Sequence, residues 1–218
     1  MSLRTWLELV GFSGTMTGEE CIMADQLAGP IGWERTALAV EKVKDRLRRA
    51  SAALGQAGVA YAVVGGNAVA EWVGRVNDAA VRNTRDVDIL IRRTDLEAAT
   101  KALVAAGFVH LRTLELDIFL DGPNGRVQDA VHVLFAGEKV RQDHLTGAPD
   151  VAESEPASQF QVVLLDALVQ MKLNAFRDKD RTHLRDMIGV GLVDQTWPAR
   201  LPPELAARLQ QLLDNPDG

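Results

Sequence analysis

The sequence predicts an α/β fold: a small mixed sheet with helices on one face and a cleft on the other, followed by a C-terminal helical region. Three observations carry this. An apolar run ending at Val64 stops at Gly65-Gly66 and gives way to a helical pattern. A second apolar stretch, residues 86–91, holds two carboxylates two positions apart, Asp86 and Asp88. Helical and alternating periods then succeed one another as far as Phe135, after which only helical ones are legible.

Residues 1–33 show short apolar pieces broken by Gly, Ser, Thr and Pro, and are expected to be a poorly ordered N-terminal extension. Met23 stands shortly before the regular sequence, and a natural start of translation there would leave the first 22 residues as an upstream addition. From Glu34 to about Ala57 a helix is expected, with Val40, Val43, Leu47, Ala50 and Leu54 on its inner side. Its basic residues Lys42, Lys44, Arg46, Arg48 and Arg49 alternate with Glu41 and Asp45, the pattern of a solvated face. Gly58 ends this helix before a strand at residues 59–64.

A helix from Asn67 to about Val76 follows, with Val69, Trp72 and Val73 as its apolar stripe. After the two-carboxylate strand, Thr94 or Asp95 is placed to cap a helix running to Ala106, with Leu96, Ala99, Leu103 and Val104 inward. Phe108–Leu111 and Leu114–Leu120 read as short strands. The turn signal Asp121-Gly122-Pro123-Asn124-Gly125 makes the second of them a hairpin with Arg126–Phe135. Residues 136–158 have little period and read as a loop or wrapping arm. Asp166 is placed to cap a helix through Met171 and Ala175. Continued unbroken, that helix puts Lys172, Lys179, His183 and Asp186 on one face and Arg177, Arg181 and Arg185 on the other. Pro202-Pro203 precede a last amphipathic helix with Leu205, Leu209, Leu212 and Leu213 toward the body.

Composition bounds the function. The 218 residues are 47% hydrophobic and 25% charged, with a net charge of -6, so no global positive field draws the chain to nucleic acid. The lone Cys21 excludes an intrachain disulfide and a cysteine zinc cluster, as expected for a reducing cytoplasm. No apolar run approaches the length of a membrane span, so no membrane partner is expected.

The chemistry gathers at residues 61–91. Alternation puts Asp86 and Asp88 on one face of a strand whose Val87, Ile89 and Ile91 face a core. Two carboxylates so placed repel each other and call for a cation, most economically Mg2+ or Mn2+, which take oxygen ligands and complete their shells with water and substrate phosphates. Gly65 and Gly66 permit a tight turn and close approach of a phosphate. With Asn67 they would bind phosphates at the start of the next helix, where backbone N–H groups and the positive dipole end are free. Diphosphate binding beside a metal points to nucleotidyl transfer with an NTP as substrate. In the strand ending at Phe135 the apolar set Val131, Val133 and Phe135 faces the core, which puts His132, rather than Asp129, on the opposite face; a bulge would bring Asp129 there instead.

The order apolar strand, Gly-Gly, helix, then Arg82-Asn83-Thr84-Arg85-Asp86-Val87-Asp88 resembles the nucleotidyltransferase superfamily that includes DNA polymerase beta. Within it the run is most similar to the AbiEii/AbiGii toxin family of type IV toxin–antitoxin systems, and Leu168–Ile188 is similar to that family's downstream helices. The resemblance covers roughly residues 59–190. It implies a nucleotidyltransferase-like core at residues 34–145, including the leading helix, and a connecting arm with the C-terminal helical region at 146–218. It also implies NMP transfer from an NTP to an acceptor hydroxyl with release of diphosphate, the acceptor being a tRNA end, a protein side chain or a small hydroxylated molecule, and an antitoxin as partner. Asp86 and Asp88 would hold the metal, Thr84 would position a phosphate or hold the loop, Arg82 would pair with a phosphate oxygen or with an Asp, and Lys172 would neutralise substrate phosphates. Enzymes of this superfamily carry a third carboxylate on the neighbouring strand, and His132 stands there instead. A catalytically degenerate module that binds nucleotide or protein is therefore the alternative, and a phosphate-binding or hydrolytic metal site is a simpler third reading.

Overall fold

A computed structural model describes residues 32–113 and 116–215. The expected extension at 1–33 and the proposed start at Met23 lie outside the described residues, apart from positions 32 and 33. The chain divides into two compact units, residues 1–38 and 39–218. Of the first, only the opening turns of helix α1 (Gly32–Gln56) are described, where the Thr36 hydroxyl donates to the Gly32 carbonyl at 3.1 Å.

The second unit is built on a seven-stranded sheet in the order β3-β4-β5-β2-β1-β7-β6. Its strands are β1 (Tyr61–Val64), β2 (Val87–Ile91), β3 (Val109–Thr113), β4 (Leu116–Leu120), β5 (Val131–Phe135), β6 (Ser154–Pro156) and β7 (Gln161–Val163). β2 runs antiparallel to β1 and parallel to β5, so the sheet is mixed as predicted. The hairpin across the Asp121–Gly125 turn is present, as β4 paired antiparallel with β5. The expected strand at 126–135 begins only at Val131, because Val127–Asp129 forms a 3-10 turn first. Two short strands, β6 and β7, emerge from a region that shows no alternation. β7 gains its place by pairing parallel to β1 at the centre of the sheet.

Both faces of the central strands are buried, which explains why β1 is apolar at every position. On one face Tyr61, Val63, Val87, Ile89, Ile91, Val131, Val133 and Phe135 pack against Leu47, Ala50 and Leu54 of α1 and Ala99 and Leu103 of α3 (Leu96–Ala105). On the other, Ala62, Val64 and Leu90 pack with α2 (Gly65–Gly74) and the C-terminal helices α4 (Leu165–Ala175), α5 (Asp178–Gly189) and α6 (Pro203–Asp214). The cleft thus opens on a face that the C-terminal helical region also walls.

Several local expectations are corrected. Val104 is 49% exposed, because α3 covers the sheet with a narrower stripe. Asp95 takes the N-cap position of α3 as expected, but its side chain makes no capping hydrogen bond, because the helix grows straight out of the 3-10 turn Arg93–Asp95. Asp166 does not cap α4; the capping position is Leu164, and Asp166 lies in the first turn, 3.9 Å from Arg200. Arg46 is not part of a solvated face: it is buried and joins α1 to Asp121 at 3.3 Å and to the Arg85 carbonyl at 3.0 Å. The helix expected to continue past Ala175 breaks at Phe176, whose left-handed φ of 45° turns the chain between α4 and α5. Arg181 then pairs with Asp178, while the Nε of Arg185 is buried.

Candidate functional site

The glycine pair is the first turn of α2 rather than a linker before it, and it sits directly against the acidic strand. Gly65 has φ of +68°, and a Cβ there would fall 1.9 Å from Asp88 Oδ2; one on Gly66 would fall 2.7 Å from Thr84 Oγ1. The absent side chains thus make room first for the protein's own acid and hydroxyl. Asn67, one residue on, donates its Nδ2 to the Asp86 carbonyl at 2.8 Å, tying the helix start to the strand start.

Asp86 immediately precedes β2, and Asp88 lies within it, opposite Val64 on β1 and His132 on β5. One donor atom from each of Asp86, Asp88 and His132 falls within 4.8 Å of the other two. Burial raises the pKa of Asp86, but the Thr84 hydroxyl at 2.8 Å, a backbone hydrogen bond and the nearby Lys179 and His132 charges outweigh it, so this carboxyl is held below its usual range. His132 is pushed the other way: its hydrogen bond to Asp88 raises its pKa against the effect of burial. Its Nε2 lies 3.2 Å from the Val127 carbonyl and its Nδ1 3.5 Å from Asp88 Oδ1. With Nε2 donating to the carbonyl, a neutral ring turns its Nδ1 lone pair toward a carboxylate, two acceptors face to face. A proton or a cation between them resolves that conflict. Two hard oxygen donors with one imidazole fit Mg2+ less closely than an all-oxygen set would.

The cluster opens into a cleft of about 580 Å³, in the size range of small-molecule sites. Lys179 and Lys172 line it. Lys172 is not a free phosphate ligand: it is buried, and its Nζ lies 3.2 Å from Asp180 Oδ1. Asp180 is buried too and is also held by the Arg177 Nε at 2.7 Å. Burial lowers the Lys172 pKa against the pull of Asp180 and Asp88. Arg82 extends across to α5, with its Nε 2.7 Å from Asp186 Oδ2, so of its two expected partners it holds the carboxylate. Asp129 stays outside the cluster, in the 3-10 turn, with its carboxylate on Arg126. The Phe176 break does not scatter the residues expected on one face: Lys172, Lys179 and Asp186 all act electrostatically on His183, whose pKa falls to about 4 chiefly through burial.

Sequence reasoning missed Asp180. Its partnership with Lys172 depends on the Phe176 turn, which folds α5 back beside α4, and no helical spacing links residues eight apart. The only signal was compositional, an acid among the Lys and Arg of residues 172–185. Trp72 joins the core rather than standing open for a base: it packs against the buried cluster, its Nε1 donates to the Val163 carbonyl at 2.9 Å, and the Arg75 guanidinium covers its ring at 4.2 Å.

Fold and site together define a mixed-sheet α/β protein in which two carboxylates and an imidazole, close enough to share one cation, line a cleft. Among solved structures the chain is similar to an antigenic nucleotidyltransferase-like protein from Paracoccidioides brasiliensis, with 18% identity, 82% of this chain and 91% of that one covered and a TM-score of 0.55. It is also similar to ANT(2")-Ia in complex with adenylyl-2"-tobramycin, with 14% identity, coverage of 75% and 94% and a TM-score of 0.50. The chain therefore has the nucleotidyltransferase fold. No protein-family model and no curated protein matches the sequence. Among the described residues no helix is long and apolar enough to cross a membrane.

Proposed function

We propose that this protein is a metal-dependent nucleotidyltransferase that moves an NMP from an NTP to an acceptor hydroxyl and releases diphosphate. The observation that carries the reading is the Asp86/Asp88/His132 cluster, gathered within 4.8 Å beside the glycine turn of α2. Mg2+ or Mn2+ held by Asp86 and Asp88 would neutralise phosphate charge and polarise the α-phosphoryl group. Thr84 fixes Asp86, Gly65 gives Asp88 its space, and the α2 N-terminus faces the outgoing phosphates with Lys179 as a nearby positive charge. A bond forms between the acceptor oxygen and the α-phosphorus while the bond to the diphosphate oxygen breaks. The acceptor's proton leaves to His132 or to water.

The run Arg82–Asp88 supports a toxin-like protein of the AbiEii/AbiGii kind, with an antitoxin as partner and the cytoplasm as its compartment. Of the acceptor classes, a small hydroxylated molecule has two supports. The adenylyl-tobramycin complex shows such an acceptor on ANT(2")-Ia, and the net charge of -6 weighs against an RNA end. His132 in place of a third acid supports a second reading, a degenerate fold that binds nucleotide without turnover.

One experiment separates these. Each α-labelled NTP is incubated with Mg2+ or Mn2+ and an extract holding RNA, protein and small molecules, using wild type and Asp86→Ala/Asp88→Ala. A labelled adduct that disappears in the double variant is the expected result and identifies the acceptor class. Nucleotide binding without adduct selects the binding module. Release of inorganic phosphate without adduct selects a hydrolytic site.

A further inference from the structure

β2 and β5 run parallel with Asp88 directly opposite His132, so the third donor of the cluster comes from the neighbouring strand at a fixed register. The 3-10 turn Val127–Asp129 ahead of β5 then orients the ring, its Val127 carbonyl lying 3.2 Å from His132 Nε2. A carbonyl only accepts, so Nε2 carries the hydrogen and Nδ1 is the atom turned toward the acids. That Nδ1 stands 3.5 Å from Asp88 Oδ1, long beside the roughly 3 Å of an ordinary N–H···O bond but close enough for one ion to bridge the two. An imidazole that gives one nitrogen to a backbone carbonyl and points the other at carboxylates has the arrangement of a metal-ligating histidine. The side chains of His132 and Asp88 keep 28% and 21% of their surface exposed and line the cleft with Asp86, so an ion entering it reaches all three.

The donor set bears on which ion that is. Asp117, Glu138 and Asp180, the other acids of the cleft lining, and Asp129 in the turn before β5 are each paired with a basic side chain of their own. Among the described residues no unpaired third carboxylate therefore completes an oxygen set around Asp86 and Asp88. Mg2+ binds through oxygen, whereas imidazole nitrogen suits Fe2+, Ni2+ and Zn2+. Replacing a third negative charge by a neutral nitrogen weakens the hold on every divalent ion, and the nitrogen offsets part of that loss for the transition ions alone. We propose that Asp86, Asp88 and the Nδ1 of His132 form a site that selects a divalent ion of the Fe2+-to-Zn2+ range over Mg2+, with His132 as the selecting ligand. This rests on the metal-dependent reading of the same site and changes the class of its metal. It also takes His132 out of the pair of proton acceptors, leaving water.

The test is calorimetric titration of the metal-stripped full chain with Zn2+ and, separately, with Mg2+, as wild type, His132→Asn and Asp86→Ala/Asp88→Ala. Wild type is expected to bind Zn2+ about a hundredfold tighter than Mg2+, the direction a nitrogen donor imposes. His132→Asn offers an amide oxygen in place of Nδ1 and adds no charge. Its Zn2+ affinity should fall by about ten- to a hundredfold, at least what the loss of an outer partner costs, while its Mg2+ affinity holds or rises. The double variant should lose Zn2+ binding, which assigns the ion to this cluster rather than to another histidine. NMR of isotope-labelled histidine gives a second readout: at Zn2+ saturation the Nδ1 of His132 shifts as a ligand and its Nε2 keeps the hydrogen. Should His132→Asn fail to fold by thermal melting, this readout on wild type carries the test. A folded His132→Asn with an unchanged Zn2+-to-Mg2+ ratio overturns the proposal. So does a wild type that binds Mg2+ as tightly as Zn2+, a His132 that stays an imidazolium paired with Asp88 at saturation, or Zn2+ binding that survives in the double variant. A chain that binds neither ion overturns the metal-dependent reading and this inference with it. The expected selectivity without any nucleotide adduct, with either ion, keeps this inference and removes nucleotidyl transfer; an adduct beside an unchanged ratio overturns this inference alone.

Discussion

Asp88 occupies the space where a side chain at position 65 would begin: its Oδ2 lies 1.9 Å from the Cβ that Gly65 lacks. The strand that carries the acid and the turn that opens α2 are therefore one steric unit, and Gly65 also needs the φ of +68° that L side chains avoid.

Gly65→Ala is accordingly expected to lose about 1–2 kcal/mol through the left-handed backbone alone, with further loss from the clash. Divalent-metal binding should fall with it, because the Asp88 carboxylate has to move. Calorimetric melting alongside Mn2+ titration checks this; an alanine variant that melts and binds as wild type does would refute the steric coupling.

Thr84 holds Asp86 through a 2.8 Å hydrogen bond from its hydroxyl. Removing an orienting partner of a metal ligand typically costs about ten- to a hundredfold in affinity. Thr84→Val keeps the shape and loses the bond, so Mn2+ affinity should drop by that order while the melting temperature changes little. Unchanged affinity by titration calorimetry would show that Thr84 merely packs against Gly66.

The Lys172–Asp180 pair, both residues buried, predicts an asymmetry in stability. Lys172→Met leaves Asp180 with Arg177 as its remaining cation and is expected to cost about 3 kcal/mol, the lower end for a broken buried pair. Lys172→Met/Asp180→Leu should recover most of that loss, since no charge is then left stranded. Urea denaturation of the two variants decides; a double variant no more stable than the single one would show that Arg177 alone satisfies Asp180.

Burial lowers the His183 pKa to about 4, with Lys172 pushing the same way and Asp180 and Asp186 opposing. The unfolded chain, near 6.5, binds this proton more readily than the folded one. Stability from this group is thus complete above pH 6.5 and is lost as pH falls toward 4. His183→Gln should flatten the stability profile between those values. Melting curves across that window check it, and an unaltered slope would assign the acid sensitivity elsewhere.

Much of this was legible in the sequence, for physical reasons that differ by element. The Asp86/Asp88 alternation needed only the two-residue period of a strand, and the position of His132 followed from the same parity once Val131, Val133 and Phe135 were assigned to the core. The turn at Asp121–Gly125 announced the hairpin of β4 with β5 because its residues tolerate unusual backbone angles. By contrast, β6 and β7 are three residues each and exist through pairing with β1, so no local pattern marks them.

The sequence alone therefore determined which residues share a face within one strand or helix, because those relations are set by backbone periods of two and 3.6 residues. It determined the acidic pair, the glycine turn and the α/β class. Only the tertiary structure decided what meets across elements: Asp88 against Gly65, Arg82 with Asp186, Arg46 beneath α1 on Asp121, and Lys172 with Asp180 around the left-handed Phe176. Those contacts depend on where the chain turns and which helix lands on which face. Burial and the pairing of charge fix such choices over distances that no local period reaches.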